Sequence, residues 1–194
     1  MRIGRRIVIK PTWRDHDPSP GDVILDLDPG MAFGTGLHPT TRLCLAGIES
    51  AADRGLLDGA RVLDVGCGSG ILAIAAMKLG AASGFGVDTD PIAIEATLAN
   101  AGRNGLAGRI TARHGSLPTG EGPYDVVLAN LIASVLIALA EPLRDELRPG
   151  GVLLASGIFV DREMDVREAF DAASLEVATR TVEGDWVALK AVRR

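Results

Sequence analysis

The sequence predicts an α/β fold: a mostly parallel sheet flanked by helices and finished by an antiparallel C-terminal hairpin. Three observations carry this. From Ala60 onward, short β-branched runs alternate with helical stretches; strand-like runs such as VVLA and VLLA are apolar without interruption; and the last two strand-like segments, LEVATRTV and DWVALKAV, are separated only by Glu183 and Gly184. The alternation is that of a βαβ series. Uninterrupted apolar strands are covered by helices on both faces. So short a final connection requires an antiparallel pair.

The elements follow in order. VILDLDPG reads as a strand, MAFGTGLHP as a glycine-rich loop, and Thr40 to Arg54 as a helix with Pro39 near its start. The strand RVLDV then leads to a helix from Ser69 to Leu79, GFGVD to a helix from Pro91 to Asn104, and RITARH to YDVVLAN. A helix from Ser134 to Leu147, the strand GVLLAS and a helix near Asp161 to Ala173 precede the hairpin. We therefore expect one domain over residues 1–194, with strand, loop and helix in 1–59 and a Rossmann-like core in 60–194.

Composition narrows the class. Of the 194 residues, 47% are hydrophobic and 23% charged, which suits a folded globular domain rather than a disordered chain. A net charge of -5 argues against a broad nucleic-acid footprint, and the cluster Arg2, Arg5, Arg6, Lys10, Arg14 reads as a solvated strand edge, with an anionic partner as the alternative. No run approaches the ~18 apolar residues of a membrane span, and MRIGRRIVIKP lacks a signal peptide's apolar stretch, so a soluble protein is expected. Cys44 and Cys67, the only cysteines, have no metal-ligand spacing; they point to a reducing cytoplasm and to no metal site.

Four segments carry chemistry. The first is Asp64-Val-Gly66-Cys-Gly68-Ser-Gly70, after a strand and at the start of a helix. Glycines there let a ligand approach the backbone, and a helix N-terminus offers free N–H groups. The dinucleotide pattern would need glycine at Ile71, and neither Lys nor Arg occurs between Asp64 and Met77 to favour a phosphate. A ligand with its own positive charge would need no such cation. The second is Gly86-Val87-Asp88, where Asp90 and Pro91 serve as helix cap and first helical residue, leaving Asp88 to accept hydrogen bonds from ribose hydroxyls.

The third is Asn130, ending YDVVLAN. In an open α/β sheet it would face the same crevice as the Gly66 loop, although an Asn in this place is also a common turn residue. An amide oxygen with a neighbouring backbone carbonyl could accept N–H bonds and aim the lone pair of an amine whose unperturbed pKa, for lysine, is ~10.4. The fourth, Phe33-Gly34-Thr35-Gly36-Leu37-His38-Pro39-Thr40-Thr41, is either a plain loop with a satisfied histidine or part of a ligand site.

Together DPGMAFGTGLHPTT, VLDVGCGSGILAIAAMKLGA, GVDTDPIAIEATLAN, DVVLANLIA and the late SGI closely resemble the ribosomal protein L11 methyltransferase family, PrmA, from about Ile3 to the C-terminus. The resemblance implies a class I methyltransferase of Rossmann-like fold with a seven-stranded sheet, using S-adenosylmethionine to methylate lysine ε-amines and an N-terminal α-amine of a ribosomal protein. It further implies that Thr41, Gly66, Gly68, Asp88 and Asn130 contact the cofactor, and that Phe33, His38 and Leu131, with Asn130, line the approach of the substrate amine. Family members usually carry an N-terminal recognition domain, and none is expected in 1–194. Weaker ribosomal-protein recognition would follow, and another protein lysine, a small-molecule amine or a non-catalytic cofactor-binding module are the competing readings.

Overall fold

The structure, a computed structural model, describes residues 1–11, 17–27 and 38–194. Arg14 and Phe33 lie outside the described residues. Seven strands form the main sheet: β4 (Arg61–Val65), β5 (Ser83–Asp88), β6 (Ile110–His114), β7 (Tyr124–Asn130), β8 (Leu147–Phe159), β9 (Leu175–Glu183) and β10 (Trp186–Arg193). Their order is β6-β5-β4-β7-β8-β10-β9, with β6 through β8 parallel and β10 antiparallel to both β8 and β9. The parallel sheet and its hairpin are those expected from the apolar runs and the Glu183-Gly184 connection.

Each central strand feeds two cores, which explains its lack of polar alternation. Val126 and Leu128 of β7 pack into one buried cluster with Leu45, Ile48 and Ile74; Val127 and Ala129 pack into the other with Leu136, Val166 and Phe170. Successive residues of a strand point to opposite faces, so both sets must be apolar when helices cover both sides. The first face carries α1 (Pro39–Asp53) and α2 (Ile71–Lys78); α4 (Ala133–Ala138), α5 (Ala140–Glu146) and α6 (Glu163–Ala172) contribute to the second, while α3 (Pro91–Arg103) packs beside β5 and β6.

Two differences from the sequence reading have physical causes. The stretch 134–147 is two helices that break at Leu139, because the ring of Pro142 cannot tolerate the carbonyl of Ala138 in a continuous helix and Pro142 has no N–H to donate. Upstream, β1 (Arg2–Ile3), β2 (Ile7–Pro11) and β3 (Val23–Leu27) form a separate three-stranded sheet instead of a lone strand. Its cations are matched: Arg2 to Asp22 and Lys10 to Asp26 beside or within β3, and Arg5 and Arg6 to Asp53 at the end of α1. The buried Glu49 of α1 accepts the backbone N–H groups of Arg5 (2.9 Å) and Arg6 (2.6 Å), which fastens this sheet to the helix.

The end of β8 is tied to the chain leaving β7. Leu131 donates its N–H to the carbonyl of Ser156 at 3.0 Å, and Gly157 (φ +89°) lies so close to the Leu131 backbone that a Cβ there would stand 2.2 Å from its carbonyl oxygen. We predict that Gly157→Ala destabilises the fold by roughly 2 kcal/mol or more, combining overpacking against fixed backbone with an unfavourable φ. Urea unfolding measures it; a loss below about 0.5 kcal/mol, the range of ordinary surface substitutions, would contradict the tie.

Candidate active site

Strand order reverses between β4 and β7: from β4 the chain builds outward through β5 and β6, then returns to the other side of β4 at β7. Beyond the carboxyl ends of the strands, this reversal leaves a crevice that adjoining loops cannot both cover. A cavity of about 390 Å³ lies there, lined by Thr41, Gly66, Gly68, Asp88, Asn130 and Leu131 among others. Residues from four separate sequence segments, spanning 41 to 131, thus meet in one place. The rest of the lining is mainly apolar, including Val65, Ile71, Leu72, Val87, Val135 and Leu139, with Gly115 and Ser116 following β6.

The glycine loop is held from behind. Asp88 Oδ2 accepts the N–H of Gly68 at 3.0 Å, and Oδ1 accepts that of Asp90 at 3.0 Å. Asp88 is therefore less free than its position suggests, yet it still reaches the cavity, and a carboxylate can accept more than one bond per oxygen. Asp90 and Pro91 do cap α3: the Asp90 carboxylate accepts from Ile92 N at 2.9 Å. Two buried polar residues of α3 grip the same loop, Thr97 by donating to the Gly68 carbonyl (3.0 Å) and Asn100 to that of Ser69 (2.9 Å). Sequence reasoning passed over both; their signal was a pair of polar side chains at i and i+3 on the helix's inward face.

Gly66 adopts φ +71°, and a Cβ there would lie 2.5 Å from Leu131 Cδ2, so glycine is what allows Leu131 to close over the loop. Asn130 donates through Nδ2 to Thr41 Oγ1 at 3.3 Å. That contact joins the end of β7 to the first turn of α1 and leaves Oδ1 with no donor among the described residues. His38 is the N-cap of α1: Nδ1 sits 2.8 Å from Thr40 Oγ1 and accepts from Thr40 N at 3.4 Å. It is thus a satisfied capping histidine placed just outside the cavity lining, three residues before Thr41, with its ring edge-on to Trp186 at 4.8 Å.

Asp64, which in the sequence only opens the glycine-loop motif, is the site's most unusual group. It is 1% exposed; Oδ2 accepts from Ala73 N at 3.1 Å, while Oδ1 is buried without a partner. Desolvation, augmented by the nearby Asp88 charge and opposed by the Ala73 hydrogen bond, pushes its pKa up to about 7. Burial likewise raises the thiols of Cys44 and Cys67, which makes neither a ready nucleophile. Among the described residues that line the cavity there is no Lys, Arg or His.

The sequence matches the ribosomal protein L11 methyltransferase (PrmA) family over residues 1–194. The chain belongs to this family. It is 47% identical to the ribosomal protein L11 methyltransferase of Herpetosiphon aurantiacus, over 96% of this chain and 64% of that relative. With the enzyme of the same name from Geobacter metallireducens it shares 48% identity over 97% of this chain and 60% of the other. The chain thus spans less than two thirds of the length of these curated relatives. The crystal structure of ribosomal protein L11 methylase from Lactobacillus delbrueckii subsp. bulgaricus superposes with a TM-score of 0.91 at 35% identity, covering all of this chain and 98% of that one. The architecture is the class I methyltransferase fold.

The raised pKa of Asp64 has a consequence for stability. Between the unfolded value of 3.8 and the folded value of about 7 the native state holds the extra proton, so this group's contribution to stability falls as pH rises through that window and is least favourable above it. Asp64→Asn should therefore raise stability relative to wild type at pH 8 by on the order of a few kcal/mol and change it little at pH 4. Denaturant unfolding at the two pH values decides this; an equal effect at both would show that the carboxyl is not held protonated.

Proposed function

We propose that this chain is an S-adenosylmethionine-dependent protein N-methyltransferase acting on lysine ε-amines, an N-terminal α-amine, or both, of a ribosomal protein, with L11 as the substrate its relatives' name indicates. One observation carries the reading: the switch-point cavity brings Asn130 and Leu131 together with the glycine loop and Asp88, and presents carboxylate and amide groups with no lining cation among the described residues. A phosphate-bearing dinucleotide would find no positive partner there among the described residues. A sulfonium with an ammonium group finds the negative charge of Asp88 instead, and the buried, orphaned Oδ1 of Asp64 at the start of the same loop supports a site with polar capacity to spare.

The residues fit this cofactor. Asp88 would take its ribose hydroxyls, Gly66 and Gly68 would let its amino-acid portion approach the backbone, Thr41 and Asn130 would fix the far side, and the apolar lining would hold its base. When bound, S-adenosylmethionine supplies a methyl group already activated by its positive sulfur. The protein's task is to deliver a neutral amine in line with that methyl. Asn130, anchored at Nδ2 by Thr41, offers its carbonyl oxygen as the acceptor that turns an amine N–H aside and aims the lone pair. Leu131, His38 and Phe33 are proposed to shape the approach of the substrate side chain. A cytoplasmic setting and catalysis by a single domain over 1–194 belong to the same reading; among the described residues no helix is long and apolar enough to cross a membrane.

Two variants should part in their effects. Asp88→Ala is expected to weaken binding of S-adenosylmethionine by roughly 10- to 100-fold, the cost of losing hydrogen bonds to a charged acceptor. Asn130→Ala should instead lower kcat by far more than it lowers cofactor affinity, because it removes orientation of the attacking amine. Calorimetry for binding and initial rates on purified ribosomal protein L11 supply both readings. Unchanged affinity in the first variant would remove Asp88 from the site; turnover within twofold of wild type in the second would remove Asn130 from the chemistry.

A further inference from the structure

Beside the cavity lies a surface that the methyl-transfer chemistry does not use. The chain has seven aromatic residues, four Phe, two Trp and one Tyr. Phe170 and Tyr124 are buried in the core, whereas Phe159 and Trp186 stack on each other at the surface, centroids 3.8 Å apart and planes tilted by 31°. Phe159 is 48% exposed. The pair is assembled by strand register, since Trp186 at the start of β10 is the partner of Phe159 at the end of β8.

This surface is continuous with the site. Asn130 is the register partner of Ser156, three residues before Phe159, and the Leu131 backbone packs on Gly157. From the other side, His38 meets Trp186 edge-on and begins the helix whose Thr41 binds Asn130. Next to these residues in the chain, Ile132 after Leu131 (64% exposed) and Val160 after Phe159 are further exposed apolar side chains. The aromatic pair therefore adjoins, through Gly157 on one side and His38 on the other, the residues that close the cavity.

Two exposed carboxylates flank the rings in the chain. Asp161 follows Phe159 by two residues, and Asp185 immediately precedes Trp186 while its carbonyl accepts from Val160 N at 3.0 Å. Both carboxylates make no ion pair among the described residues. The neighbouring cations are already matched, Arg162 with Asp165 at 2.7 Å and Arg42 with Glu183. Aromatic faces with unmatched carboxylates one and two residues away in the chain suit a guanidinium or ammonium whose aliphatic stem also covers apolar surface.

We propose that Phe159 and Trp186, with Asp161 and Asp185, form a docking platform for a basic side chain of the protein substrate, an Arg or Lys close in sequence to the amine that is methylated. The proposal rests on the methyl-transfer reading for the identity of the neighbouring amine. It makes Trp186 a specificity-determining residue that binds substrate equally in ground and transition states, so its loss shows in KM more than in kcat.

A double-mutant cycle tests this. Fluorescent peptides carry one lysine and one arginine, the arginine placed at successive positions on either side of the lysine, each paired with a peptide in which citrulline replaces it. They are titrated by anisotropy against the full chain and against Trp186→Leu and Phe159→Leu, which keep apolar bulk, and used as methylation substrates in parallel. At the favoured spacing, citrulline should weaken binding and raise KM by roughly 5- to 10-fold for the wild type and less than twofold for either variant. A citrulline penalty of the same size in wild type and variants, or no penalty at any spacing, would overturn the platform. Methylation that proceeds without coupling sinks the platform alone, whereas coupled binding with no methylated product upholds the platform and sinks the methyl-transfer reading.

Discussion

The reversal of strand order between β4 and β7 is the constraint on which the site depends. Helices diverge from the carboxyl ends of these two adjacent strands, so the space above them stays open, and the chain invests its least ordinary backbone there. Gly66 turns out of β4 with positive φ, Asn130 ends β7, and Gly157 lets the chain after Asn130 lie against β8. The same reversal brings α1 over the cavity's edge, and the Thr41 hydroxyl then meets Asn130 across 89 residues of sequence. None of these contacts would form if β7 were added beside β6.

Electrostatics separates what the site does from what the fold would prefer. Asp64 is buried behind the glycine loop with one oxygen unsatisfied, which costs stability whenever it is ionised. Natural cores seldom keep such a group without a reason in their chemistry. In the proposed reaction, a cavity with carboxylates nearby and no lining cation among the described residues favours a cationic cofactor, and the amine acceptor is a neutral amide whose geometry is set by Thr41. Positioning then carries most of the catalysis, and the positions are fixed by strand ends and a capped helix rather than by side-chain flexibility.

Much of this was legible in the sequence because it is local. The apolar runs gave the parallel strands, the two-residue connection the hairpin, and Asp90-Pro91 the cap that leaves Asp88 at the cavity. What escaped was decided by partners distant in the chain. His38 is also a helix cap, which only the position of Thr40 reveals. Thr97 and Asn100 matter because α3 lies against the loop, and nothing near them in sequence says so. The pairing of Phe159 with Trp186 depends on the register of β10 against β8, and the three-stranded sheet on buried Glu49. Pro142, by contrast, is a legible signal for the helix break, hidden only by the apolar periodicity that runs on either side of it.

The central claim is that the switch-point cavity transfers a methyl group from S-adenosylmethionine to protein amines. Intact-mass spectrometry of ribosomal protein L11 after incubation with this chain and the cofactor tests it most directly. The account predicts mass steps of one methylene each, mapping on fragmentation to lysine side chains or the N-terminus, and absent when Asn130→Ala replaces the wild type. An unmodified protein, under conditions where calorimetry shows the cofactor bound, would contradict it.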